Sequence, residues 1–146
     1  MNYTGAIQTI SESPPVASEI MTRNEPLLRP GTHLMDAMAF LIKHKISGAP
    51  VVDDQGRLLG MLTEKDCLKL LAHKSYYHQQ PAQDVEHYMS SGVKTVTPET
   101  DLYTIVDIFL ESAFRKIPVI DREEKVVGQI SRKDVLRAVQ KLLKKK

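Results

Sequence analysis

Gly60-Met61-Leu62-Thr63-Glu64-Lys65-Asp66 has a near copy in Gly128-Gln129-Ile130-Ser131-Arg132-Lys133-Asp134, 68 residues later. The same ungapped offset carries Met21 onto Met89, Pro30 onto Pro98, Thr32 onto Thr100 and Leu34 onto Leu102. It also carries Pro50-Val51-Val52-Asp53 onto Pro118-Val119-Ile120-Asp121. A repeat of this kind means that one supersecondary unit was copied and that the copies pack on each other. Two separate domains of about 60 residues would each be marginally stable, so the repeats are expected to depend on one another.

Composition narrows the class. With 42% hydrophobic and 26% charged residues the chain is expected to be an ordinary globular protein, not a disordered one. No apolar run approaches the ~20 residues of a membrane helix, and the N-terminus lacks the basic and apolar stretches of a signal peptide. Cys67 is the only cysteine, which excludes an intrachain disulfide and suits a reducing cytoplasm. A net charge of +2 is small for a nucleic-acid binder. Lys141 and Lys144-Lys145-Lys146 read as a basic helix end set against its dipole, with an anionic partner as the other reading.

Residues 1–15 are read as a loosely held arm, ended by Pro14-Pro15, which blocks a helix. Val16 to Met21 predicts one helical turn, mirrored by Val85 to Met89. Pro26-Leu27-Leu28 and Lys94-Thr95-Val96 are short strand candidates, each followed by a helix start with Thr32 or Thr100 as N-cap. Leu34, Ala37, Met38, Leu41 and Ile42 form an apolar stripe at helical spacing, answered by Leu102, Ile105, Val106, Phe109 and Leu110. Ala49 to Val52 and Ile117 to Ile120 read as buried strands, and Leu58 to Leu62 and Val126 to Ile130 as their hairpin partners. Helices follow at Glu64 to Ala72 and Arg132 to Leu143. The unit is strand, helix, strand, strand, helix, placed at 16–73 and 85–146 with a linker at 74–84. Tyr76, Tyr77 and His78 in the linker either pack on a neighbour or face solvent.

The repeated heptad has two readings. Thr63 and Ser131 stand where a strand turns into a helix, and Asp66 and Asp134 follow three residues on. That spacing makes a capping box, which needs no ligand. The same groups suit a ligand: a helix N-terminus offers N–H groups and partial positive charge to phosphate, and a carboxylate can accept two hydrogen bonds from vicinal hydroxyls. Gly60 and Gly128 would let a base or a backbone come close.

Both repeats resemble CBS domains, the β-α-β-β-α units named after cystathionine β-synthase. The motifs are Ile46 to Asp53 with its counterpart Phe114 to Asp121, and the two heptads with their glycine, apolar, any, Thr/Ser, any, any, Asp pattern. The resemblance covers residues 16–142 and implies an α/β (α+β) fold with the repeats packed as one pseudo-two-fold Bateman module. It further implies an adenosyl ligand (AMP, ADP, ATP or S-adenosylmethionine) and a homodimer formed through the helices. The ligand sites would each join the heptad of one repeat to the second strand of the other. One set is then Thr63, Asp66, Phe114, Arg115, Lys116 and Ile117. The other is Ser131, Asp134, Ile46, Ser47, Gly48 and Ala49, with Arg132 and Lys133 contributing if they point inward. Arg115 and Lys116 suit phosphate, whereas Ser47 and Gly48 give room without charge. The first set is therefore expected to prefer a phosphorylated nucleotide, and the second a nucleoside or an S-adenosylmethionine-like ligand.

Other chemistry finds little support. His33, His44, His73, His78 and His87 have no metal-ligand spacing. Cys67 reads as a packing residue, and Met35, Met38 and Met61 as core filler. No nucleophile-elbow, dinucleotide or P-loop pattern occurs. The expectation is a non-enzymatic cytoplasmic sensor acting on a separate effector protein. The rival readings are a ligand-free interaction module, or nucleic-acid binding through Arg115, Lys116, Arg132, Lys133 and the basic tail.

Overall fold

The structure is a computed structural model that describes residues 13–77 and 83–144. Most of the expected arm, residues 78–82 of the expected linker (His78 among them) and Lys145-Lys146 lie outside the described residues, as do the side chains of 73–77. The chain divides into two compact units. The first-repeat unit holds Pro26–Val93 and Glu123–Val126. The second-repeat unit holds the chain up to Glu25, Lys94–Arg122 and the chain from Val127 onward.

In the first-repeat unit, α2 (Leu34–His44), β1 (Gly48–Val52), β2 (Leu58–Thr63) and α3 (Glu64–Tyr77) follow in order. Strands β1 and β2 form an antiparallel hairpin with Gly48 opposite Thr63 and Val51 opposite Gly60. Every residue of β1 is buried, as its apolar sequence requires. Leu34, Ala37 and Leu41 of α2 pack with Ala49, Val51 and Leu62 of the hairpin and with Leu28. The turn is held by Asp53, whose Oδ1 accepts from the N–H groups of Gln55 and Arg57, both at 2.9 Å. The Arg57 backbone N–H is the main reason that the Asp53 carboxyl titrates below its usual range. Helix α3 runs on to Tyr77, past the Ala72 expected from the sequence.

The second-repeat unit contains α1 (Ala17–Ile20), α4 (Leu102–Glu111), β3 (Lys116–Ile120), β4 (Val126–Ser131) and α5 (Arg132–Lys144). Val126 itself clusters with the first-repeat unit. Leu102 and Ile105 pack with Ala17, Ile117, Val119 and Ile130.

Four further details differ from the sequence reading. The strand candidates at Pro26–Leu28 and Lys94–Val96 shrink to one bridging residue each, Leu28 beside Val51 and Val96 beside Val119. Pro26 has no N–H to give a ladder, and Thr32 and Thr100 already turn back to the carbonyls of Arg29 and Thr97. The helix caps fall one residue later than Thr32 and Thr100. His33 Nδ1 accepts from Met35 N–H at 3.1 Å, and Asp101 Oδ1 accepts from Thr104 N–H at 2.9 Å. The last positions of the two apolar stripes, Ile42 and Leu110, are 77% and 78% exposed. Met35 also faces solvent, so it is not core filler.

The opening segment of each repeat belongs to the unit that holds the rest of the other repeat. Thr22 pairs with Gln129 of β4 through two backbone hydrogen bonds, at 2.8 and 3.0 Å. Ser90 pairs with Met61 of β2 in the same way, at 2.9 and 2.9 Å. These are equivalent positions under the 68-residue offset. Ala17 N–H donates to Thr100 O, and Val85 N–H to Thr32 O, so the short turns 17–20 and Val85–His87 cap the paired leaders. The Glu123–Val126 loop extends the exchange: Leu58 N–H donates to Glu124 O, and Val126 N–H to Gly56 O.

Candidate ligand-binding site

Each heptad folds as a reciprocal capping box at the junction of a strand and a helix. In the first, Thr63 N–H donates to Asp66 Oδ2 at 3.0 Å and Asp66 N–H donates to Thr63 Oγ1 at 3.3 Å. In the second, Ser131 N–H donates to Asp134 Oδ2 at 2.9 Å and Asp134 N–H to Ser131 Oγ at 3.1 Å. The Thr63 hydroxyl adds a bond to Asp66 Oδ2 at 3.0 Å. Glu64 N–H is taken by Ser47 O at 2.9 Å. The N–H groups expected to be free for phosphate are thus in good part already engaged by the chain itself.

The two carboxylates are buried, Asp66 at 4% and Asp134 at 8% exposure. Buried acidic groups are rare unless paired, and both are paired at i, i+3. Lys69 Nζ lies 3.0 Å from Asp66 Oδ1, and Arg137 Nη1 lies 3.0 Å from Asp134 Oδ1. Lys69 and Arg137 are again equivalent under the repeat. Their side chains are 53% and 71% exposed, so each cation reaches its buried carboxylate from the solvent side. A ligand hydroxyl arriving from that side would meet the Oδ1 that each cation covers, whereas Oδ2 is held by the N–H bond of the box.

The boxes differ in one hydroxyl. Thr22 Oγ1 donates to Asp134 at 3.3 and 3.4 Å. The sequence reading missed Thr22, Lys69 and Arg137. The i, i+3 spacing from each aspartate could have revealed the two cations, and the repeat of Met21-Thr22 as Met89-Ser90 marks the leader. Glycines 60 and 128 do admit a close approach, and it is the leader that comes close. A Cβ on Gly60 would stand 2.6 Å from Ser90 O, and one on Gly128 2.5 Å from Met21 Sδ.

The other expected residues fall as follows. Gly48 and Ala49 lie in β1, with Gly48 directly beside Thr63, while Ile46 and Ser47 lead into it. Ile117 is fully buried in β3, Phe114 is half exposed, and Arg115 is exposed with no partner among the described residues. Lys116 opens β3 and is paired with Glu25 at 3.2 Å. Arg132 and Lys133 are exposed on α5 and take no part in the Ser131–Asp134 box. Arg132 lines a groove of about 520 Å³ with Val106, Phe109 and Leu110, and Lys133 a shallower face with Leu136, Arg137 and Gln140. Cys67 is buried beside Asp66, and burial, with the nearby Asp66 and Glu64 charges, pushes its thiol pKa up. That is the behaviour of a packing residue. Among the described residues no three His, Cys, Asp or Glu side chains gather where a metal could sit, and no helix is long and apolar enough to cross a membrane.

A model of the CBS domain matches residues 16–73 and 85–141. Inosine-5'-monophosphate dehydrogenase of Aquifex aeolicus is 31% identical over 118 residues, 80% of this chain, which spans only 23% of that enzyme. Among solved structures, CBSX2 of Arabidopsis thaliana in complex with AMP superimposes with a TM-score of 0.79 at 28% identity, covering 88% of this chain and 98% of that one. The CBS domain pair of protein MJ0100, in complex with 5'-methylthioadenosine and S-adenosyl-L-methionine, matches with a TM-score of 0.72 at 25% identity, covering 84% and 97%.

Proposed function

The chain belongs to the CBS domain family, and on that premise we propose that it is a regulatory module that binds an adenosyl ligand and passes its occupancy to a separate protein partner. The observation that carries this reading is the pair of buried carboxylates, each fixed by a complete capping box and each closed by one solvent-facing cation. Such a carboxylate is pre-oriented for the vicinal hydroxyls of a ribose. The solved relatives bound to AMP and to S-adenosylmethionine support an adenosyl ligand. One proposed set comprises Thr63, Asp66, Phe114, Arg115, Lys116 and Ile117, the other Ser131, Asp134, Ile46, Ser47, Gly48 and Ala49. A ligand bound by both repeats favours the arrangement in which both touch it, so differential affinity drives the signal. The chain carries no catalytic role in this proposal, acts in the cytoplasm, and works as a homodimer.

The test is a thermal-shift and calorimetric panel of AMP, ADP, ATP, NADH and S-adenosylmethionine against the wild type, Asp66→Ala and Asp134→Ala. Ligand at 100 times Kd is expected to stabilise the wild type by about 2.7 kcal/mol. Asp66→Ala is expected to lose AMP affinity more than Asp134→Ala does, because Arg115 and Lys116 stand in the first set. Equal losses would remove the assignment of unequal sites. A second reading, an interaction module whose heptads only cap helices, draws on the fact that both boxes close without a ligand. Silence across the whole panel would favour it.

A further inference from the structure

We propose that Glu25 sets the charge preference of the ligand bound at Lys116, by holding the ammonium that an anionic group would need; the inference rests on the reading of Lys116 as a ligand residue. Lys116 opens β3 with its side chain only 15% exposed, and Glu25, at 23%, places Oε1 3.2 Å from Nζ. An ammonium so far out of water needs a counter-charge. Glu25 supplies it from the leader, the same segment that brings Thr22 to Asp134. The adjacent Arg115 is exposed and has no partner among the described residues. One cation of the pair is therefore open and the other is occupied.

The repeat shows that the acid and the base belong together. Under the 68-residue offset, Glu25 corresponds to Val93 and Lys116 to Gly48. Where the lysine is absent, the glutamate is absent too. A phosphate that engages Lys116 must displace Glu25 or share the ammonium with it, and in either case it meets a second negative charge close by. A neutral nucleoside meets no such opposition. Glu25 thus lowers affinity in proportion to ligand negative charge, and it shifts the site toward nucleosides and sulfonium ligands relative to nucleotides.

Calorimetry on the full chain at fixed ionic strength, with adenosine, AMP and ATP as probes, tests this. Glu25→Gln is expected to tighten AMP roughly three- to tenfold and ATP further, the size of a screened charge removed at a few ångströms. Adenosine is expected to move less than twofold. Adding Lys116→Gln to Glu25→Gln is expected to abolish the gain. An AMP-to-adenosine affinity ratio unchanged by Glu25→Gln, in a protein whose AMP binding falls with Asp66→Ala and Lys116→Gln, overturns the role of Glu25 alone. AMP binding that ignores Asp66→Ala and Lys116→Gln overturns the ligand assignment itself, and absence of adenylate binding in both wild type and Glu25→Gln overturns both.

Discussion

Glu124 shows what one residue in this chain conceals. It adopts φ of +67°, and its counterpart under the repeat offset is Gly56, at φ of +82°. Each stands in the turn of its hairpin, where the left-handed region is required. Asp53-Asp54-Gln55-Gly56 advertises that need, but Asp121-Arg122-Glu123-Glu124 does not. Only the alignment of the two repeats exposes it. A side chain with Cβ in this region costs about 1 kcal/mol or more relative to glycine. Glu124→Gly is therefore expected to raise stability by roughly 1 kcal/mol in urea unfolding; a loss of stability would show that the Glu124 side chain contributes more than its backbone strain costs. The capping boxes are the opposite case. Thr63 with Asp66 and Ser131 with Asp134 could be read directly, because a cap depends on residues three apart. Thr32 and Thr100 misled for a related reason. Both threonines have the right chemistry, but each lies within a turn closed by Arg29 or Thr97, and the next residue takes the cap.

Among the elements, helices and hairpins were legible because their signals are local and periodic. The leaders were not. Nothing in the spacing of Met21-Thr22 or Met89-Ser90 says which strand they will join, since two backbone hydrogen bonds to a distant strand leave no periodic trace. The glycines opposite them hold the only clue. A Cβ at Gly60 would meet the backbone oxygen of Ser90, which cannot step aside, whereas one at Gly128 meets chiefly the flexible end of Met21. Gly60→Ala is thus expected to destabilise by about 2–3 kcal/mol and Gly128→Ala by about 1 kcal/mol, in the range of overpacked positions. Thermal or urea melts of the two variants measure the order, and the reverse order would contradict the way the leaders pack. The apolar stripes were legible in phase but too wide: Leu34 and Leu102 are buried while Ile42 and Leu110 are not.

At the scale of the molecule, those outer stripe positions are part of a larger pattern. Ile42 on α2, Leu68 and Leu71 on α3, Leu110 on α4 and Leu136 on α5 are all exposed leucine or isoleucine. In each unit they sit on the two long helices, and a monomer rarely leaves large apolar surface in water. They support the homodimer proposed above. Leu110→Glu with Leu136→Glu is expected to shift the mass in light scattering from dimer to monomer while leaving the melting transition cooperative. An unchanged mass would place the contact elsewhere. Composition could not show this, because a leucine that faces a partner and one that faces the core read alike.

The reciprocal docking of the leaders also governs the order in which the protein can be made. The first repeat leaves the ribosome with its hairpin complete, yet Met61 waits for Ser90, and Leu58 waits for Glu124. Thr22, synthesised well before its partner, has no strand to join until Gln129 emerges. At about 5–20 residues per second, both halves stay unfinished for several seconds and then close almost together. A chain interrupted between the repeats would carry two unpaired strand edges, each seeking its missing leader on another molecule.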